Sequence, residues 1–105
     1  MSTNITVILP IHELQDSLKD YLPKAIESVA TQKTLPDELL IVRSKDKKLK
    51  TFLDKFDFGS LKDITKIVEN KTGKFDFASQ INYGVSECKT EYFTFLEFDD
   101  ELSQI

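Results

Sequence analysis

At 105 residues the chain has room for one domain, and about two-thirds of its unfolded surface can be buried on folding, enough for one core without disulfide or metal staples. A composition that is 40% hydrophobic and 30% charged excludes both a disordered chain and a membrane-embedded one. The net charge of −4 argues against a general nucleic-acid binder, which carries a basic excess.

The opening Met1-Ser2-Thr3-Asn4 has neither the basic patch nor the apolar stretch of a signal peptide. No apolar run approaches the roughly 20 residues that a membrane-spanning helix needs. Ile5-Thr6-Val7-Ile8-Leu9 is a β-branched, apolar run closed by Pro10, and it reads as a strand buried on both faces. Leu22, Ala25, Ile26, Val29 and Ala30 then recur at helical spacing. Pro23 is expected in the first turn of that helix, where its missing N–H costs nothing.

Glu38-Leu39-Leu40-Ile41-Val42 is a second buried strand. Residues 46–56 read as a helix with Leu49, Phe52, Leu53 and Phe56 on one face and lysines elsewhere; Gly59-Ser60 breaks it. Residues 64–68 form a third strand whose stronger alternation places it nearer an edge. Asn70 to Lys74 is a turn-rich loop. Asp76 is positioned to cap a third helix in which Phe77, Ile81, Val85 and Cys88 share a face. The lone cysteine, Cys88, excludes an internal disulfide and a Cys-rich zinc site, and it reads as a small buried hydrophobe. One unpaired thiol without an export signal points to a reducing, cytoplasmic location. Tyr92-Phe93-Thr94-Phe95-Leu96 is a fourth strand, followed by the acidic run Glu97-Phe98-Asp99-Asp100-Glu101.

This alternation predicts a single α/β domain over residues 1–105. Its core is a mainly parallel sheet of four strands with helices on both faces, in the order 3-2-1-4. The crevice then opens at the carboxyl ends of strands 1 and 4, so that residues 10–13 meet residues 97–101. Glu97 and Asp99 lie two apart in an extended segment and can point to one side. Such oxygens suit Mg²⁺ or Mn²⁺, and a bound cation would turn a phosphate-repelling cluster into a diphosphate-attracting one. The other reading of the same run is a solvated polar turn. There is no Gly-x-Gly-x-x-Gly after strand 1 and no P-loop sequence, which disfavours dinucleotide and P-loop sites.

Four segments, in order, resemble the nucleotide-sugar-binding half of inverting family 2 glycosyltransferases with the GT-A fold. The opening strand and Pro10-Ile11-His12-Glu13 resemble the family's first strand and Pro-x-Tyr-Asn loop. Ser28-Val29-Ala30-Thr31-Gln32 is similar to its Ser-Val-x-x-Gln helix ending. Residues 36–42 resemble the second strand. Residues 92–102 resemble the strand that ends in the Asp-x-Asp-Asp metal motif, and Asn82-x-Gly84 matches an Asn-x-Gly on the third helix.

The resemblance implies a donor half spanning the whole chain, with the acceptor half and its general base absent. It implies that Asp99, Glu97 and Asp100 hold Mn²⁺ or Mg²⁺, and that Pro10, His12, Arg43 and Glu97 contact a nucleotide diphosphate sugar. His12 falls where an aromatic ring packs on the base. No residue here takes a catalytic role. Three positions depart from the family: Glu97 stands for its first aspartate, Arg43 for a base-reading acid, and Ile81 for the arginine of Ala-Arg-Asn. These departures keep a second reading open, a catalytically inactive GT-A-like module for binding or assembly. Arg43 itself reads equally as a ligand contact or as a salt-bridge residue. A receiver-like signalling domain fits poorly, because it needs acids after strands 1 and 3.

The fourth strand is apolar on both faces, as a central strand would be, yet no further strand follows to cover it. An unpaired apolar edge is a template for strand pairing, so self-association through this edge is expected.

Overall fold

The computed structural model describes residues 4–13, 16–74 and 76–97. Its elements are β1 (Ile5–Ile11), α1 (Asp16–Ala30), β2 (Glu38–Arg43), α2 (Lys47–Lys55), a 3₁₀ helix (Gly59–Ile64), β3 (Thr65–Glu69), α3 (Phe77–Glu87) and β4 (Tyr92–Phe95). The strands form one all-parallel sheet in the order β3-β2-β1-β4, as the alternation of elements predicts.

Alternate side chains of the strands go to opposite faces, and each face has its own cover. Val7, Leu9, Ile11, Leu39 and Ile41 pack against Leu18, Leu22 and Val29 of α1, Leu49 and Leu53 of α2, and Leu61 of the 3₁₀ helix. Each such fully buried side chain contributes about 2 kcal/mol. On the other face, Ile8, Leu40 and Val42 form a smaller cluster covered by Ile81 and Tyr83 of α3. The result is three layers.

Three local expectations shift. β1 does not stop at Pro10 but runs on to Ile11. The Ile8 carbonyl accepts from the Leu96 amide on the β4 side. Residue 10 points to that same side and has no N–H to offer, so the proline ends the β1–β4 ladder while β1–β2 pairing continues to Ile11↔Arg43. α1 begins at Asp16, which leaves Pro23 inside the helix rather than in its first turn. Lys19, whose carbonyl loses its partner, and Pro23 are both exposed, so water can take up the lost bond.

The buried residues of α3 are Gln80 and Gly84. Phe77, Ile81, Val85 and Cys88 do form a stripe, but it runs along the flank of the helix above β4. Phe77 and Val85 are consequently exposed, and Cys88 is half-exposed at the helix C-cap instead of buried in the core. Gly84 is required by close approach: a Cβ there would lie 2.7 Å from Ile8 Cγ2 and 3.1 Å from Val42 Cγ2. The fourth strand lies at the edge of the sheet, as the order 3-2-1-4 places it, with Tyr92, Phe93 and Phe95 exposed.

Candidate functional site

The carboxyl ends of β1, β2 and β4 meet at one edge of the sheet. Pro10 is buried in β1, and His12 and Glu13 follow it, exposed, with His12 Nε2 3.5 Å from Glu13 Oε1. Both side chains are half in solvent, so this pair contributes little to stability. Glu97 is exposed just past the end of β4, on the other flank of the β1 end. Pro10 has no N–H to offer toward β4, so among the described residues the bond from the Leu96 amide to the Ile8 carbonyl is the last of the β1–β4 ladder before these two chain ends.

Arg43 ends β2 beside Ile11, and its guanidinium is largely covered. Nη1 donates to the Ser44 carbonyl at 2.9 Å, and Nη2 donates to Glu69 Oε1 at 3.4 Å across the β2–β3 register. The charge is thus turned toward β3. Ser44 ties the two strand ends together. Its amide donates to the Ile11 carbonyl at 3.2 Å, and its hydroxyl donates to the His12 carbonyl. This fixes the backbone on which His12 stands.

Beneath these ends lies a buried amide network that the sequence did not announce. Gln80 Nε2 donates to the Ile11 carbonyl at 3.0 Å and the Val42 carbonyl at 3.1 Å, the last turns of backbone before His12 and Arg43. Gln80 Oε1 accepts from Asn70 Nδ2 at 2.6 Å. That same Nδ2 reaches the Lys74 carbonyl at 2.8 Å, while the Asn70 amide donates to the Arg43 carbonyl at 2.8 Å. Asn70 Oδ1 accepts from the Thr72 amide at 3.0 Å. One glutamine and one asparagine therefore hold β1, β2 and the β3–α3 loop at fixed spacing. The only signal in the sequence was a polar residue four before Gly84, and the stronger stripe of Phe77, Ile81 and Val85 drew attention to the wrong face.

Thus Pro10, His12, Arg43 and Glu97 all lie at the carboxyl edge of the sheet, with Arg43 on the β2 side and Glu97 on the β4 side. Asp99 and Asp100 lie outside the described residues. Among the described residues no group of three His, Cys, Asp or Glu side chains is placed to hold a metal ion. Asn82 does not face this edge. With Thr72, Lys74, Ser79, Tyr83 and Ser86 it lines an open recess of about 350 Å³ on the outer side of α3. Among the described residues no helix is long and apolar enough to cross a membrane.

The sequence profile of Glycosyl transferase family 2 matches residues 6–104. The chain belongs to glycosyl transferase family 2. Its fold is similar to that of S. aureus TarS: residues 1–349 of that protein superpose with a TM-score of 0.65 at 17% identity, over 99% of this chain and 29% of that one. A second structure of S. aureus TarS gives a TM-score of 0.61 at 18% identity, over 99% of this chain and 18% of that one. No curated protein sequence matches. The chain therefore spans less than a third of either neighbour, and the β3-β2-β1-β4 sheet is the part of the GT-A-like fold that it shares with them.

Two departures from the family pattern have local explanations. Ile81, where many members carry arginine, packs half-buried against Ile8, Leu40 and Val42, an apolar setting in which a guanidinium would be desolvated. Arg43, in place of a base-reading acid, has its own acidic partner in Glu69.

Proposed function

We propose that this chain is the donor-binding half of a metal-dependent, inverting glycosyltransferase that uses a nucleotide diphosphate sugar. The observation that carries the reading is the convergence of Pro10, His12 and Glu97 at the open β1–β4 end of a family 2 sheet. Ligands bind such sheets outside the carboxyl ends of the strands, where the connections diverge to opposite faces.

The donor set fits a hard divalent cation. Glu97 is a solvent-facing carboxylate, and Asp99 and Asp100 follow it in sequence, so every candidate ligand is oxygen. These three residues would hold Mn²⁺ or Mg²⁺, whose positive charge supplies neutralisation for a departing diphosphate. The remaining roles are this chain's own. His12 offers an imidazole face to the base from a loop pinned by Ser44. Pro10 ends the β1–β4 ladder at the mouth of the proposed site. Arg43 takes a phosphate or base contact only by leaving Glu69. No residue here acts as general base. That group and the acceptor site belong to polypeptide beyond this segment, and lack of a base alone forfeits a factor of roughly 10²–10⁴ in rate. The single unpaired thiol fits a cytoplasmic protein.

A second reading is favoured by one observation, the engagement of Arg43 with Glu69 and Ser44. In that reading the fold is kept as an inactive binding or assembly module.

Mn²⁺ titration followed by the loss of the free ion's paramagnetic resonance separates the two. The donor-half reading expects a site that is lost in Asp99→Ala and kept in Asp54→Ala, a carboxylate on α2. Equal uptake by wild type and Asp99→Ala would sink it.

A further inference from the structure

Gln80 is too deeply buried to meet a ligand. It is 1% exposed, and its partner Asn70 is fully covered. Yet a buried amide is a costly way to fill a position that leucine could fill. Satisfying the backbone does not require it either, since the Ile11 carbonyl already accepts from the Ser44 amide at 3.2 Å. A carbonyl has two lone pairs, and Gln80 takes the second. What the glutamine adds is direction.

That direction is set without ambiguity. Gln80 Nε2 has two carbonyl partners, Ile11 and Val42, and a carbonyl can only accept. Its Oε1 must then face the donor Asn70 Nδ2. Asn70 is fixed in turn. Its Nδ2 also meets the Lys74 carbonyl, and its Oδ1 accepts from the Thr72 amide and hydroxyl at 3.0 and 2.7 Å. Turning either amide over would set oxygen against oxygen. Gln80 is itself anchored in the first turn of α3, where its backbone amide donates to the Asp76 carbonyl at 3.0 Å.

These bonds bracket one residue. The peptide plane before His12 contains the Ile11 carbonyl, held by Gln80 and Ser44 together. The plane after it contains the His12 carbonyl, which accepts from the Ser44 hydroxyl. Peptide units are rigid, so fixing the planes on both sides of an α-carbon fixes where its side chain leaves the backbone. Without Gln80 the first plane keeps only the Ser44 amide and can pivot about it.

We propose that Gln80 is a positioning residue: it holds the backbone of His12 in the orientation from which the imidazole meets a nucleotide diphosphate, and so strengthens binding. This rests on the donor-site reading above. His12 is the contact, and Gln80 acts only through it, by removing backbone freedom that the ligand would otherwise have to freeze.

Calorimetric titration with UDP and with GDP, each with Mn²⁺, tests the proposal on wild type, Gln80→Met, His12→Ala and the double variant of the 105-residue chain. Methionine keeps the length of the side chain and removes its hydrogen bonds. For whichever nucleotide wild type binds, Gln80→Met is expected to bind about tenfold more weakly, the scale of loss when the group that orients a ligating side chain is removed. In the His12→Ala background the same substitution should change affinity less than about twofold, because the side chain it positions is gone. A generally loosened fold would lower affinity equally in both backgrounds, and that result overturns the proposal. So does undiminished binding by Gln80→Met. Wild type that binds neither nucleotide overturns the donor-site reading and this proposal with it, whereas wild type that binds, with either of the other two results, overturns this proposal alone.

If Gln80→Met fails to fold, or His12→Ala binds too weakly to close the cycle, the side-chain amide resonances of wild type decide. Saturating nucleotide should shift the Gln80 Nε2 signals through the Ile11–His12 peptide. It should leave in place those of Gln32, which bonds the Ser28 carbonyl of α1 at 3.1 Å. Unmoved Gln80 signals in a chain that binds the nucleotide overturn the proposal.

Discussion

The two edges of the sheet are built to opposite plans. β3 is a polar edge: Thr65, Lys66 and Glu69 are spaced along it, and Ile67 and Val68 are half-buried. Phe52, Phe56 and Phe58 form a chain of rings, with centroids 5.9 and 4.9 Å apart, that packs with Ile64 and Ile67 against the main core. β4 has no charged residue, and its aromatic side chains meet solvent on both faces. A charged, covered edge resists pairing and an uncharged bare one invites it. The contrast teaches that being apolar on both faces marks a strand for two covers without saying which polypeptide supplies them. In β1 and β2 the same pattern is satisfied within this chain. In β4 it is not.

Substitutions can break or sharpen this comparison. The largest effect is expected midway between the edges. Gln80→Ala strips the Ile11 and Val42 carbonyls and the Asn70 amide of a shared buried partner, and should cost about 3 kcal/mol in chemical denaturation. A loss below about 1 kcal/mol would mean that water replaces the amide and the strand ends are not held by it. Next comes the paired test of the edges. Phe56→Ala opens the ring chain beside β3 and should cost about 2 kcal/mol, less than a full core truncation because the ring is only half-buried. Phe93→Ser, on the bare edge, should cost less than about 0.5 kcal/mol in the monomer. Equal costs at the two positions would erase the distinction between a finished and an unfinished edge.

The smallest effect concerns the α3 cap. Asp76 accepts from the Ser79 hydroxyl at 2.7 Å and the Ser79 amide at 3.2 Å, and these bonds hold its carboxyl below the ordinary aspartate value. A lowered folded-state value means that the group stabilises fully above its unfolded value. That stabilisation is lost as pH falls through the folded one. Wild type should therefore lose its advantage over Asp76→Asn in acid, with thermal melts compared from neutral pH downwards. Since Asp76 is fully exposed, salt should shrink the difference.

Much of the fold was legible because strand character and helix spacing agree along the chain. The order 3-2-1-4, the three layers and the cap Asp76 follow from runs such as Ile5–Leu9 and from an acid placed just before helical periodicity. The errors came where tertiary context decides. Pro10 reads as a stop, but it lacks a ladder partner only on the β4 side, and β1 continues on the other. The stripe of Phe77, Ile81 and Val85 gives the period of α3 correctly and its buried face incorrectly, because Gly84 lets the backbone itself approach the sheet. At the site, the strand ends could be placed from sequence. The Gln80–Asn70 network could not, since its partners are carbonyls from strands far away in the chain. Nor could the pairing of Arg43 with Glu69, which depends on β2–β3 register.

The central claim is that the open β1–β4 end of this family 2 sheet binds a nucleotide diphosphate. Calorimetric titration of the purified chain with UDP and with GDP, each with and without Mn²⁺, addresses it most directly. The account predicts binding of one of the two nucleotides that requires the cation and disappears in Asp99→Ala. Heat that is absent for both nucleotides up to millimolar concentration, with the sheet intact by circular dichroism, would contradict it.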